Sequence, residues 1–172
     1  MNILIESLTE IPDRNEMDGM LQEYFDVMVD RLTSIGGPSP DTSLVINEFW
    51  REAHHYLPPT GQTLLARDPD GNLIGMGSLR AIEDGKGELK RLYVRPTARG
   101  TGLGRRLVER RIQTAREMGL KTLLADTFKA NVEMLGLYES LGFERIEGFV
   151  ESATFNLHPE FHEFMAYVRL SL

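Results

Sequence analysis

The residues with the clearest chemical potential stand together at Arg99-Gly100-Thr101-Gly102-Leu103-Gly104-Arg105, just ahead of a long stretch of helical apolar period. The glycines let the backbone turn tightly with its amides free to point at a ligand. A helix starting there adds unpaired N–H groups and a partial positive charge. Arg99, Arg105 and Arg106 bring formal charge in the side chain that best matches phosphate oxygens. The segment is a candidate phosphate cradle; the local alternative is a glycine-rich turn carrying a solvated arginine face. A Walker loop would need Gly-x4-Gly-Lys-Ser/Thr, and the dinucleotide fingerprint would need glycine where Arg105 stands, so both fail.

The charge distribution points the same way. The net charge of the 172 residues is −7. Between Glu88 and Arg111 there are eight basic residues against two acidic, leaving eleven basic against twenty-four acidic elsewhere, a net of −13. A basic segment in an acidic chain suits a small polyanion, whereas nucleic acid would need a broader basic surface. There is no cysteine, which excludes disulfides, thiolate metal sites and a cysteine nucleophile. No Gly-x-Ser-x-Gly elbow offers a serine in its place. His158 and His162 are four apart, but Pro159 lies between them and no second pair completes a site, so no metal is expected. His54 and His55 read as the end of a surface helix. The acidic start and the lack of a long apolar run give no secretory signal and no membrane span; a cytoplasmic protein is the expectation.

Elements must hold the cradle. Ile3 and Ile5 mark a strand near the start. Met17, Leu21, Tyr24, Met28 and Leu32 form one helical stripe, and Gly36-Gly37-Pro38 ends it. A second helix is expected from about Thr42, with Leu44, Phe49, Ala53 and Leu57 inward, closing at Pro58-Pro59. Strands over 62–67 and 73–80 flank the turn Asp68-Pro69-Asp70-Gly71-Asn72, and a third runs over 87–94. Leu103, Leu107, Val108, Ile112, Ala115 and Met118 stripe a helix over 102–118, stopped by Gly119. A strand over 122–126, a helix over 131–141, a strand over 143–146 and a last strand over about 163–170 complete the order βααβββαβαββ. That is an α/β fold with a mixed sheet, since hairpins come first and a helical crossover later.

Three stretches together resemble the GNAT superfamily of acyl-coenzyme A N-acyltransferases. Arg99, Gly102 and Gly104 match its Arg/Gln-x-x-Gly-x-Gly/Ala loop. Glu88-Leu89-Lys90-Arg91-Leu92-Tyr93-Val94 is similar to its fourth strand, and Asn131 followed by Tyr138-Glu139-Ser140-Leu141-Gly142-Phe143 to its second signature. The signatures span 88–143, and the order of elements extends the likeness over nearly the whole chain. Met134 departs from the family's usual small residue. Gly136, in mid-helix, costs on the order of 1 kcal/mol against alanine.

The resemblance implies one GNAT domain over residues 1–172, with a mostly antiparallel mixed sheet, a splayed parallel pair and about four helices. It implies acetyl-CoA as co-substrate, its pantetheine on the backbone of Leu92, Tyr93 and Val94, and its pyrophosphate on Arg99, Gly100, Thr101, Gly102, Leu103, Gly104 and Arg105. Asn131 is the further cofactor-binding candidate, or a plain helix cap. Tyr138 is the candidate general acid for the leaving thiolate, and Glu88 the candidate base, directly or through water. The activity implied is transfer of an acetyl group straight to a primary amine, without an acyl-enzyme. The alternative is a non-catalytic acyl-CoA sensor. Ten acidic residues against three basic between Glu10 and Leu57 suggest a small cationic acceptor. Neither nucleic acid nor membrane is expected as partner, and the chain is taken as a monomer or homodimer.

Overall fold

The computed structural model describes residues 2–149 and 151–172. Strand β1 (Leu4–Ser7) leads through α1 (Arg14–Ser34) and α2 (Thr42–Glu52) to a meander of β2 (Gly61–Arg67), β3 (Leu73–Ile82) and β4 (Lys86–Val94). Helix α3 (Leu103–Glu117) crosses over to β5 (Thr122–Phe128). Then come α4 (Val132–Ser140), β6 (Glu144–Ile146), a short α5 (Ala153–Leu157) and β7 (Met165–Ser171). The strands form one sheet in the order β1-β2-β3-β4-β5-β7-β6. Every neighbouring pair is antiparallel except β4 and β5. This is the mixed α/β architecture expected, with the crossover helix supplying the parallel pair.

The helix stripes hold. Met17, Leu21 and Leu32 of α1 are buried, as are Leu103, Leu107, Val108, Ile112 and Ala115 of α3. The second helix departs from expectation. It stops at Glu52, a 3-10 turn covers Ala53–Tyr56, and Leu44 is 60% exposed. Phe49, Ala53 and Tyr56 carry its packing instead. The stretch before the last strand also differs: α5 and a 3-10 turn (Pro159–Phe164) occupy it, and the strand starts at Met165. Pro159 opens this turn, a first-turn position that needs no N–H.

Two features of β4 shape everything that follows. Its pairing with β5 runs only from Lys86↔Thr122 to Leu89↔Ala125, although both strands continue, so the parallel pair forks beyond Leu89. On its other edge the register to β3 slips between Met76↔Tyr93 and Ser78↔Lys90, placing an extra residue in β4. Arg91 takes a φ of 55°, a left-handed conformation unusual for a non-glycine residue. The slip moves side chains by one position: Leu89 and Leu92 both join the core under α3, and Tyr93 joins the core under α1 and α2. Arg111 of α3 fills the gap. It is fully buried and donates to the carbonyls of Ser78 at 2.9 Å, Lys90 at 3.2 Å and Leu107 at 3.0 Å. A β-carbon on Gly77 would lie 3.0 Å from the Arg111 guanidinium carbon, so the strand must be bare where the arginine enters.

Candidate active site

The glycine loop leads into α3 with Gly100 at φ 76° and Gly102 at φ 79°. Both conformations cost little only for glycine, which is the physical content of that motif. Gly102 is the residue before the first helical turn, and its carbonyl accepts from the Arg106 amide at 3.1 Å. The amides of Leu103, Gly104 and Arg105 belong to the turn whose N–H groups a helix cannot satisfy itself. Arg99 folds back to donate to the Val94 carbonyl at 3.2 Å, and Arg105 reaches Ser140 at 2.7 Å. Arg106 does not join them. It points to the far side and donates to the Ile3 carbonyl at 3.3 Å, because successive helix residues are about 100° apart.

Beside this loop runs a groove lined by Leu92, Tyr93, Val94, Arg99, Gly104 and Asn131 together with Met28, Arg31, Met134 and Leu137. Asn131 precedes α4, yet its side chain does not cap that helix. Its amide donates to Thr127 at 2.9 Å and its oxygen accepts from Arg31, which also pairs with Glu133 at 2.8 Å. Arg31 thereby ties α1 across the groove to α4.

Where β4 and β5 separate, a chain of charges crosses the fork. Glu88 is fully buried; Arg80 approaches it to 2.6 Å, Lys90 to 3.5 Å, and the Ala153 amide donates to it at 3.1 Å. Lys90 continues to Asp126 at 2.9 Å and to Thr154 at 2.6 Å. Ser152 donates to the other Asp126 oxygen. Burial works against charge on Lys90, but Asp126 and Glu88 outweigh it and hold its ammonium above the ordinary lysine range. Lys90 therefore stays a cation and cannot serve as a base near neutrality. Among the described residues these links also fasten the segment from Glu151 to Thr154 onto the sheet, with Lys86 pairing to Glu151 at 2.6 Å.

Tyr138 sits beside this cluster. Its ring is buried against Phe143, with centroids 4.8 Å apart. Burial raises its phenol above the usual tyrosine range, the nearby Arg111 and Lys90 charges pull it back down, and Asp126 pushes it up. The phenol is protonated across the neutral range, the state a proton donor needs. Tyr24 of α1 is also raised, by burial first, with the Lys90 and Arg91 charges pulling it down and Asp126 pushing it up.

Met28 also lines a second cavity, of about 130 Å³. Lys90, Arg91 and Asp126 stand at the fork end, and Glu48, Glu52 and His158 line it farther out. The rest of the wall is largely apolar, drawn from α1, β5, α5 and the turn after it.

Comparison with known proteins matches residues 22–143 to the Acetyltransferase (GNAT) family. An N-acetyltransferase of Schizosaccharomyces pombe is 32% identical over 150 residues, 86% of each chain. This chain belongs to the GNAT acetyltransferase family, a family of enzymes. The L-methionine sulfoximine/L-methionine sulfone acetyltransferase of Pseudomonas paraeruginosa is 32% identical over 133 residues, covering 75% of each chain. The fold matches a GNAT acetyltransferase of Staphylococcus aureus at TM-score 0.74 and 16% identity, over 98% of this chain and 99% of that one. A Bacillus anthracis protein solved with acetyl coenzyme A aligns at TM-score 0.56 and 22% identity, over 69% and 67%.

Against the GNAT frame, the expected residues divide. Leu92, Tyr93, Val94, Arg99, Gly104 and Asn131 meet on one groove, whose lining does not include Gly100, Thr101, Gly102, Leu103 or Arg105; Tyr138 lines neither groove nor cavity and is buried in the core under α3, within reach of the Lys90 and Asp126 charges. Glu88 lies behind Lys90 rather than on the cavity, both of its oxygens already engaged. His54 and His55 stack on each other in the open, 3.9 Å between centroids, away from both pockets. Lys90, Asp126, Arg31, Arg111 and Tyr24 were missed. Asp126 could have been flagged as a lone acid ending an apolar strand, and Arg111 as a charge inside an apolar helix stripe; neither had a partner visible in the sequence.

Proposed function

We propose that the protein transfers the acetyl group of acetyl-CoA to a primary amine, with the thioester lying in the β4–β5 fork. One observation carries the reading: the strands part immediately beyond Leu89, and the groove on the glycine loop and the cavity at Asp126 meet at that point. A long thioester with a pyrophosphate end fits an arrangement of free amides, bulged strand edge and arginines. The bulge turns the backbone around Leu92 and Tyr93 toward the groove, where its N–H and C=O groups can pair with the amides of the pantetheine arm.

The chemistry then follows from the neighbours. The amine nitrogen attacks the thioester carbonyl carbon, the new C–N bond forms, and the C–S bond breaks. An amine with a pKa of about 10.4 arrives charged and must first lose a proton. Asp126, which faces the cavity, is the carboxylate placed to take it, and Glu88, held behind Lys90, could act only through an intervening water. Tyr138 gives its proton to the departing sulfur. Of the ten acidic residues between Glu10 and Leu57, eight already have a partner, Glu23 with Arg95 and Glu16 with Arg67 among them. Any preference for a cation therefore comes from the cavity rather than from a general acidic field.

The test is thiol release from acetyl-CoA with a panel of amines, which also separates an enzyme from a non-catalytic sensor. Tyr138→Phe should lower kcat about tenfold or more with the acetyl-CoA KM little changed. A kcat within twofold of the parent would leave Tyr138 a packing residue. Glu88→Gln and Asp126→Asn should lose most at low pH and recover as the amine deprotonates itself, Asp126→Asn more completely dependent on pH.

A further inference from the structure

Three cations line the cavity among the described residues, and one of them has donors to spare. Lys90 is held by Asp126 at 2.9 Å, Thr154 at 2.6 Å and Glu88 at 3.5 Å. His158 has Glu48 on one ring nitrogen at 3.0 Å and Glu160 on the other at 3.3 Å. Arg91 differs. Its Nη1 is buried without a hydrogen-bond partner, and its Nη2 has Glu52 at 3.7 Å, beyond hydrogen-bond reach. Glu52 is itself 27% exposed, so solvent screens that pair. What orients the guanidinium is aromatic: it lies over the rings of Tyr56 at 4.4 Å and Phe49 at 4.9 Å. Its backbone stands in the β4 bulge at a φ of 55°, a conformation that is unfavourable for arginine and persists only where the surroundings fix it. The result is a desolvated guanidinium on the cavity wall, pre-oriented and short of acceptors.

A carboxylate supplies what Arg91 lacks. Its two oxygens match a guanidinium edge, and such a pair is strongest where water has already been excluded. The opposite charge waits nearby. The β4–β5 pairing ends at Leu89↔Ala125, so Lys90 and Asp126 come just past it, and Arg91 is the next residue along β4. Asp126 also lines the cavity, and a carboxylate offers about four lone-pair sites, more than its present partners use. One end of the cavity thus offers an anion to an amine and a cation to a carboxylate. The wall beyond is drawn from Phe25, Met28, Phe128, Phe161 and Met165, which suits an apolar side chain. A second carboxylate would meet Glu48 and Glu52 there, with His158 already held between two glutamates.

We infer that Arg91 binds the carboxylate of the acceptor, and that the acceptor is an α-amino acid with an apolar side chain; this rests on the amine-acetylating reading above. The probes are L-phenylalanine, L-leucine, phenylalaninamide and L-glutamate. Each is assayed by thiol release from acetyl-CoA, and its binding is measured by calorimetry with and without coenzyme A, so that the result does not depend on turnover. The better of phenylalanine and leucine should exceed phenylalaninamide at least tenfold in affinity, and glutamate at least thirtyfold. Arg91→Met should weaken that amino acid at least thirtyfold while phenylalaninamide stays within threefold and coenzyme A within twofold. Arg91→Lys should restore part of the preference for the carboxylate. Phenylalaninamide or glutamate binding the parent protein as well as the amino acids do, or neither amino acid binding, overturns the inference whether or not the variants fold. An Arg91→Met protein that loses phenylalanine and phenylalaninamide alike, or neither, makes Arg91 a packing residue and overturns it too. Amino acids that bind as described but release no thiol would leave the carboxylate site standing and overturn the transfer reaction, while failure of coenzyme A to bind the parent protein would overturn the groove assignment alone.

Discussion

The groove and the cavity meet at one fork but are built differently. The groove takes five of its twelve lining residues from one run of chain, Leu92 to Arg105, which holds the bulged strand and the helix start, and the rest from α1 and the beginning of α4. The cavity is made of side chains from α1, α2, β4, β5, α5 and the turn before β7, held by ion pairs between residues far apart in sequence. A shared cofactor can be recognised by backbone shape, which tolerates side-chain change. An acceptor that differs from one enzyme to the next must be recognised by side chains. The cavity should therefore be sensitive to single substitutions of charge, and the groove to bulk in its loop but not to the identity of its strand side chains.

The largest effect should come from breaking the cavity's charge chain. Lys90→Met leaves Glu88 and Asp126 without the ammonium between them, and should cost about 3–5 kcal/mol of stability, read by denaturant unfolding. A loss below about 1 kcal/mol would mean that water already carries those charges.

In the groove, Gly104→Glu should weaken coenzyme A binding about a hundredfold by calorimetry, through bulk and like charge against a pyrophosphate. Gly104 tests this better than Gly102, whose left-handed backbone would add strain of its own; a β-carbon at Gly104 meets Leu137 at an ordinary 3.7 Å. Unchanged affinity in a folded variant would remove the loop from the cofactor site.

Gly136 lies exposed in α4, and a β-carbon there would meet nothing within 4 Å. Gly136→Ala should stabilise the protein by about 0.5–1 kcal/mol without altering cofactor affinity. A fall in affinity would show that the groove needs the bare backbone at that point.

The smallest expected effect sharpens the contrast most. Tyr93→Phe removes only the hydroxyl that donates to Glu23 at 3.4 Å, so coenzyme A affinity should stay within twofold. A larger loss would mean that the strand contributes side chains, not backbone, to the groove.

The sequence by itself determined the elements and the loop. Helical stripes, the hairpin turn and glycines that need left-handed backbone are all local properties, set by neighbours within a few residues. That is why a cradle at Arg99 to Arg105 beside the strand Leu92 to Val94 could be proposed before any coordinates, although only Arg99 and Gly104 of the loop line the groove and Arg106 turns away from it. Only the tertiary structure decided which charges face which. Glu88 looked like a free carboxylate on a strand; Arg80, eight residues away, and Ala153, sixty-five away, enclose it. Asp126, an unremarked strand residue, faces the cavity because β5 leaves β4 one position earlier. Arg111 became a buried cation because a one-residue slip between two other strands left carbonyls to be filled. Register and fork are set by long-range pairing, and a single sequence carries no record of which residues will meet across it.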